Sequence, residues 1–80
     1  MVNYEILKVR EYNKREHNKN KRIISEVRYY YNNSTGENSI WEYISIDGRP
    51  FIPYRKVVGE EAKELLKNRG KPLVIEFGKI

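Results

Sequence analysis

The chain has 80 residues, 39% of them hydrophobic and 34% charged, with a formal net charge of +5 and no cysteine. That length supports one core, since domains commonly run to about 100 residues, and the absence of thiols excludes disulfides and thiolate metal sites. No apolar run approaches the roughly 20 residues that cross a bilayer, and the charged start has no signal-peptide centre, so a soluble chain acting in a reducing cytoplasm is expected.

Val2 to Arg10 mixes β-branched, aromatic and charged residues and reads as a strand with an imperfect period of two, Tyr4 and Ile6 being followed by Leu7 and Val9. From Glu11 to Lys21 only Tyr12 could enter a core, and the Lys- and Asn-rich composition cannot offset the entropy of ordering. A mobile loop or the solvated tip of a long hairpin is expected there. Arg22 to Tyr31 is the second strand, with Ile23, Val27, Tyr29 and Tyr31 alternating against Ile24, Glu26, Arg28 and Tyr30.

Asn32 to Asn38 is a run of turn formers around Thr35-Gly36, and Ser39 to Ile46 follows as the third strand. Asp47-Gly48 is a tight-turn pair, after which Arg49 to Lys56 folds back as an edge segment despite Pro50 and Pro53. Gly59 to Arg69 reads as a helix, with Glu60 and Glu61 at its positive end, Lys67 and Arg69 at its negative end, and Gly70 and Pro72 stopping it. Leu73 to Gly78 is a last strand. The expected fold is α+β: a small, mostly antiparallel sheet, made of a three-strand N-terminal meander plus a C-terminal strand, with one helix covering one face. Residues 1–80 form a single domain.

The charge is unevenly placed. Lys8 to Arg22 holds seven basic and two acidic residues, and the remaining 65 balance at nine against nine. Solubility needs charge anywhere, whereas a concentrated cationic run suits an anionic partner. Lys14, Arg15, Lys19, Lys21 and Arg22 are the candidate phosphate contacts. A turn centred near Thr35-Gly36 would set Tyr30 opposite Trp41 and Arg28 opposite Tyr43, gathering three aromatic rings and a guanidinium on the side away from the helix. Such a surface stacks bases and grips phosphates. Cross-strand aromatic pairs also stabilise sheets with no ligand at all.

Catalytic patterns are missing. His17 is the only histidine and stands in a polar run, Asp47 is the only aspartate and is explained by its turn, and Glu60, Glu61 and Glu64 suit a helix start. No phosphate-binding glycine loop, zinc spacing or nucleophile motif is present. No cofactor or metal is expected. The sequence reads as a small non-enzymatic nucleic-acid-binding protein with a basic arm and an aromatic sheet face. The alternative is a protein-binding inhibitor or adaptor that docks the same arm into an acidic groove, and a homodimer is compatible with either. Absent glutamine, a single alanine and abundant Lys, Glu, Ile, Tyr and Asn fit the AT-rich coding of a small archaeal or viral gene.

Overall fold

The computed structural model describes residues 2–79. Strands β1 (Val2–Glu16) and β2 (Lys19–Asn32) form a long hairpin, followed by β3 (Asn38–Ile46), β4 (Ile52–Val57), helix α1 (Gly59–Leu66) and β5 (Ile75–Lys79). The five strands make one sheet in the order β4-β3-β2-β1-β5, antiparallel except where β5 runs parallel to β1. The fold is thus a small α+β unit with a mixed sheet and one helix. One strand exceeds the expectation, since the proline-containing edge segment pairs with β3 as β4, and the expected C-terminal strand joins the sheet in parallel beside β1.

One face of the sheet meets α1. Leu7, Val27, Ile40 and Val57 pack there with Leu65, and Tyr29 and Ala62 close the rim. The helix is shorter than its sequence pattern, ending at Leu66; the amides of Lys67, Asn68 and Arg69 then bond to carbonyls three residues back, and Gly70 turns with φ +79°. This tightened last turn brings the Arg69 guanidinium to the carboxylate of Glu5 at 2.8 Å and within 4.8 Å of the Tyr29 ring centroid. Arg55 ties the layers together from the other side, bonding Glu42 of β3 at 2.7 Å and Glu61 of α1 at 2.6 Å. Among the described residues the second face carries no helix. The β3–β4 connection folds onto it, where the Ser45 hydroxyl donates to the carbonyl of Arg49 and Phe51 lies over Arg28.

The β1–β2 hairpin outruns its neighbours. Pairing with β5 ends at Asn13 and pairing with β3 begins at Ile23, so the tip between them is a two-stranded ribbon, and the molecule is 47 Å long but only 23 by 22 Å across. Of the two expectations for residues 11–21, the hairpin tip is what forms. Its connection is only His17 and Asn18, both left-handed at φ 50° and 62°, the backbone that a tight hairpin turn requires at both central positions.

The middle hairpin differs from its expected register. Asn32 to Glu37 closes a longer loop, with the Asn32 amide donating to the Glu37 carbonyl at 2.9 Å, and the pairing slides by two residues. Trp41 therefore faces Arg28, Tyr43 faces Glu26 and Tyr30 faces Ser39. Because side chains alternate with a period of two, an even slip changes partners but not faces.

Two outcomes follow for stability. Leu65 is the buried residue that seats α1 on the sheet. Leu65→Ala should lower the unfolding free energy by about 2–5 kcal/mol, a large share of the roughly 4–12 kcal/mol expected for 80 residues, whereas Leu66→Ala at 38% exposure should cost under about 1 kcal/mol; urea titration reads both. The Arg55 guanidinium bonded to Glu61 holds that carboxyl below its ordinary range. A depressed native pKa contributes stability that is complete above the unfolded value of 4.5 and is lost as pH falls through the native one. Glu61→Gln should remove that part of the acid dependence, seen as a shallower drop in urea midpoint between pH 5 and pH 3 (about the carboxylate range).

Candidate nucleic-acid interface

The basic arm is built by alternation. Beyond the sheet, each β1 residue sits opposite one of β2: Asn13 with Arg22, Lys14 with Lys21, Arg15 with Asn20, Glu16 with Lys19. Partners directly across a ladder share a face. At the root, the Asp47 carboxylate accepts the Arg22 amide at 2.9 Å while the Asp47 amide donates to the Arg22 carbonyl at 2.8 Å, so the lone aspartate clamps the strand where the arm leaves the sheet.

The arm's own carboxylates neutralise part of its charge. Glu11 accepts from Arg22 at 2.6 Å, and Glu16 lies 3.3 Å from Lys21. Lower down, Glu76 of β5 stands 3.5 Å from Lys8 and 3.3 Å from Arg10, which hold its carboxyl below the ordinary range. Lys14, Arg15 and Lys19 have no carboxylate partner among the described residues, and all three are exposed. The excess positive charge is thus displayed at the tip, about the turn.

The aromatic group assembles on the face without the helix. Arg28, Tyr30, Trp41 and Tyr43 do share that face, but the tyrosines are engaged with the guanidinium rather than open around it. The Arg28 Cζ lies 4.3 Å from the Tyr43 ring centroid, 4.7 Å from Tyr4 and 5.2 Å from Phe51. Its nitrogens bond Glu26 at 2.9 Å and donate to the Tyr30 hydroxyl at 3.0 Å, leaving the side chain 13% exposed. Tyr30 in turn stands between Tyr4 and Tyr43, with centroids 5.2 and 5.8 Å away. The neighbouring Tyr30 hydroxyl and partial burial push the Tyr43 phenol up from its ordinary value.

Sequence reasoning gathered four members of this cluster and missed two. Tyr4 enters through the β1 register, Tyr4 opposite Tyr30, and Phe51 through the connection that folds over Ser45; neither could be placed without the tertiary pairing. Tyr4 keeps 48% exposure, and Trp41 is half-buried with Lys56 opposite it on β4. His17 is exposed at the turn, its ring nitrogen 3.8 Å from Glu16. No group of His, Cys, Asp and Glu fit to hold a metal ion occurs among the described residues, and no helix among them is long and apolar enough to cross a membrane.

Comparison with protein-family models, with curated proteins and with solved structures finds no match for this chain.

The caged guanidinium makes its own forecast. Removing a cation that is desolvated against aromatic rings, and leaving Glu26 without its partner, costs about 2 kcal/mol or more. Arg28→Met should therefore destabilise the fold by at least that amount in urea titration, while Tyr54→Ala, at a position 63% exposed, should stay within about 0.5 kcal/mol. A neutral Arg28→Met would mean the guanidinium is not held by the cluster and is available to a ligand.

Proposed function

We propose that this protein binds nucleic acid without catalysing a reaction, the β1–β2 arm supplying contacts to the phosphate backbone. The observation that carries the reading is the set of exposed cations without carboxylate partners, Lys14, Arg15 and Lys19, at the end of a ribbon projecting past the sheet. Cations held out on such a ribbon meet phosphates with few of the protein's own acids nearby, and each contact releases a condensed counterion. Lys21 and Arg22 join them from positions where Glu16 and Glu11 already fix the side chains.

The aromatic face takes a secondary role. It lies on the same side of the sheet as Asn13 and Arg15, so a strand following the arm toward the body reaches Tyr30, Trp41 and Tyr43. Arg28 serves by fixing the rings of Tyr4 and Tyr43, and base stacking falls chiefly to Trp41 and to Tyr4, which keeps 48% exposure. Trp41 is the chain's only tryptophan, which makes its fluorescence a reporter for that face.

Engagement of about four phosphates gives log affinity against log salt a slope of roughly −3 to −4. Fluorescence anisotropy with labelled DNA and RNA should show this in the intact chain, and the triple variant Lys14→Gln, Arg15→Gln, Lys19→Gln should flatten the slope by roughly 2 to 3. Affinity indifferent to salt, or a triple variant that binds like the parent, rules out the arm as the phosphate contact.

A further inference from the structure

The two faces of the arm carry different chemistry. On the side of the sheet away from α1 the cross-strand pairs are Asn13 with Arg22 and Arg15 with Asn20; on the other they are Lys14 with Lys21 and Glu16 with Lys19. The ion pairs agree with this division, since Glu11 reaches Arg22 on the first side and Glu16 reaches Lys21 on the second. Every residue of the first set ends in a planar amide or guanidinium. Every cation of the second is a lysine.

These groups differ in what they recognise. Asn and Arg present flat two-point arrays that match the base edges of the major groove, Asn to adenine and Arg to guanine, whereas a lysine ammonium is a point charge suited to phosphate. From this segregation we infer that the arm enters the major groove of B-form double-stranded DNA, with Asn13, Arg15, Asn20 and Arg22 against the base edges and Lys14, Lys19 and Lys21 reaching the bordering phosphates. The inference rests on the phosphate-contact part of the nucleic-acid reading above and narrows it to duplex DNA, in which Arg15 and Arg22 turn from phosphates to base edges and the aromatic face, whose stacking needs unpaired bases, holds no base.

The dimensions fit. Two strands about 4.8 Å apart, with their side chains, fill a groove about 12 Å wide. Half the roughly 10 Å thickness of a sheet layer sets the backbone about 5 Å above the base edges, within a groove about 8.5 Å deep, so lysines on the outer side start near the level of the phosphates. The two-residue His17-Asn18 turn keeps the tip no wider than the ribbon. From Asn13 to Glu16 the rise is about 10 Å at about 3.3 Å per residue, enough to face three or four base pairs. Arg22 comes to that surface already oriented, its backbone bonded to Asp47 and its guanidinium to Glu11. A-form RNA offers no equivalent, because its major groove is deep and too narrow for side chains to read.

Anisotropy titrations of the full chain at one ionic strength, against duplex DNA, duplex RNA and single-stranded DNA of matched sequence, test this. Duplex DNA should bind at least 10-fold tighter than duplex RNA, and methyl green, which fills the major groove, should compete while netropsin in the minor groove should not. Selection from a randomised duplex pool should yield a preferred window of three or four base pairs. In the Asn13→Ala, Asn20→Ala variant that preference should fall by roughly 5- to 100-fold per contacted position with the salt slope unchanged. In Lys14→Gln, Lys21→Gln affinity should fall evenly across sequences. Equal, salt-dependent affinity for all three ligands, or competition by netropsin alone, overturns the groove assignment while leaving nucleic-acid binding in place; salt-dependent binding to none of them overturns both.

Discussion

A strand shows alternate residues to opposite sides, so the parity of β1 against β2 decides what each side of this molecule can be. Two features set it. The His17-Asn18 turn imposes one register on the arm, in which Arg15 meets Asn20, and the body keeps another, in which Tyr4 meets Tyr30. The two registers differ by one residue, and the irregularity between Ile6 and Lys8 absorbs the difference. A bulge of this kind leaves two residues opposite one. Here it lets Leu7 enter the core beneath α1 while Tyr4 and Ile6 before it and Val9 after it stay on the opposite side. Without that extra residue, arm and body could not both be paired as they are. Either the core would lose Leu7, or the Asn and Arg side chains of β1 would lie on the other face of the ribbon from those of β2.

The charge distribution follows from the same arrangement. Carboxylates are placed wherever the ribbon lies close to the body: Glu76 against Lys8 and Arg10, Glu11 against Arg22, Glu5 against Arg69. Most of these pairs are solvent-exposed, and each contributes little to stability. Their effect is on the field, which is compensated at the sheet and uncompensated toward the tip. Within the body, the cation that is deeply engaged is Arg28, and the rings around it explain why so many tyrosines can share an uncovered sheet face without forming a bare apolar patch. Arg55 performs the matching task on the helix side, where Glu42 and Glu61 anchor it.

Much of this was legible in the residues. The charge asymmetry, the second and third strands and the helix follow from composition, period and capping signals, and the imperfect alternation from Ile6 to Leu7 was the trace of the bulge. Helix length was overestimated because Lys67 to Arg69 have helical propensity, yet the chain tightens into a turn before Gly70. The register of the middle hairpin was displaced by two because loop residues 33–37 are all turn formers and none marks the centre; the shared face of Arg28, Tyr30, Trp41 and Tyr43 survived since the slip is even. What could not be read was the position of β5, whose parallel pairing with β1 depends on where α1 deposits the chain, and the two non-local ring contacts to Arg28. The residues of the arm were identified as cations, but their sorting into an Asn/Arg side and a Lys side required the turn.

The most direct measurement is a titration of the isotope-labelled 9.6-kDa chain with duplex DNA, followed by amide and side-chain NMR shifts. With the arm as the contact element, shifts concentrate between Asn13 and Arg22, including the side-chain amides of Asn13 and Asn20 and the guanidinium of Arg15, while α1 and β4 stay in place. Shifts confined to α1 or β4 with the arm unmoved would contradict it.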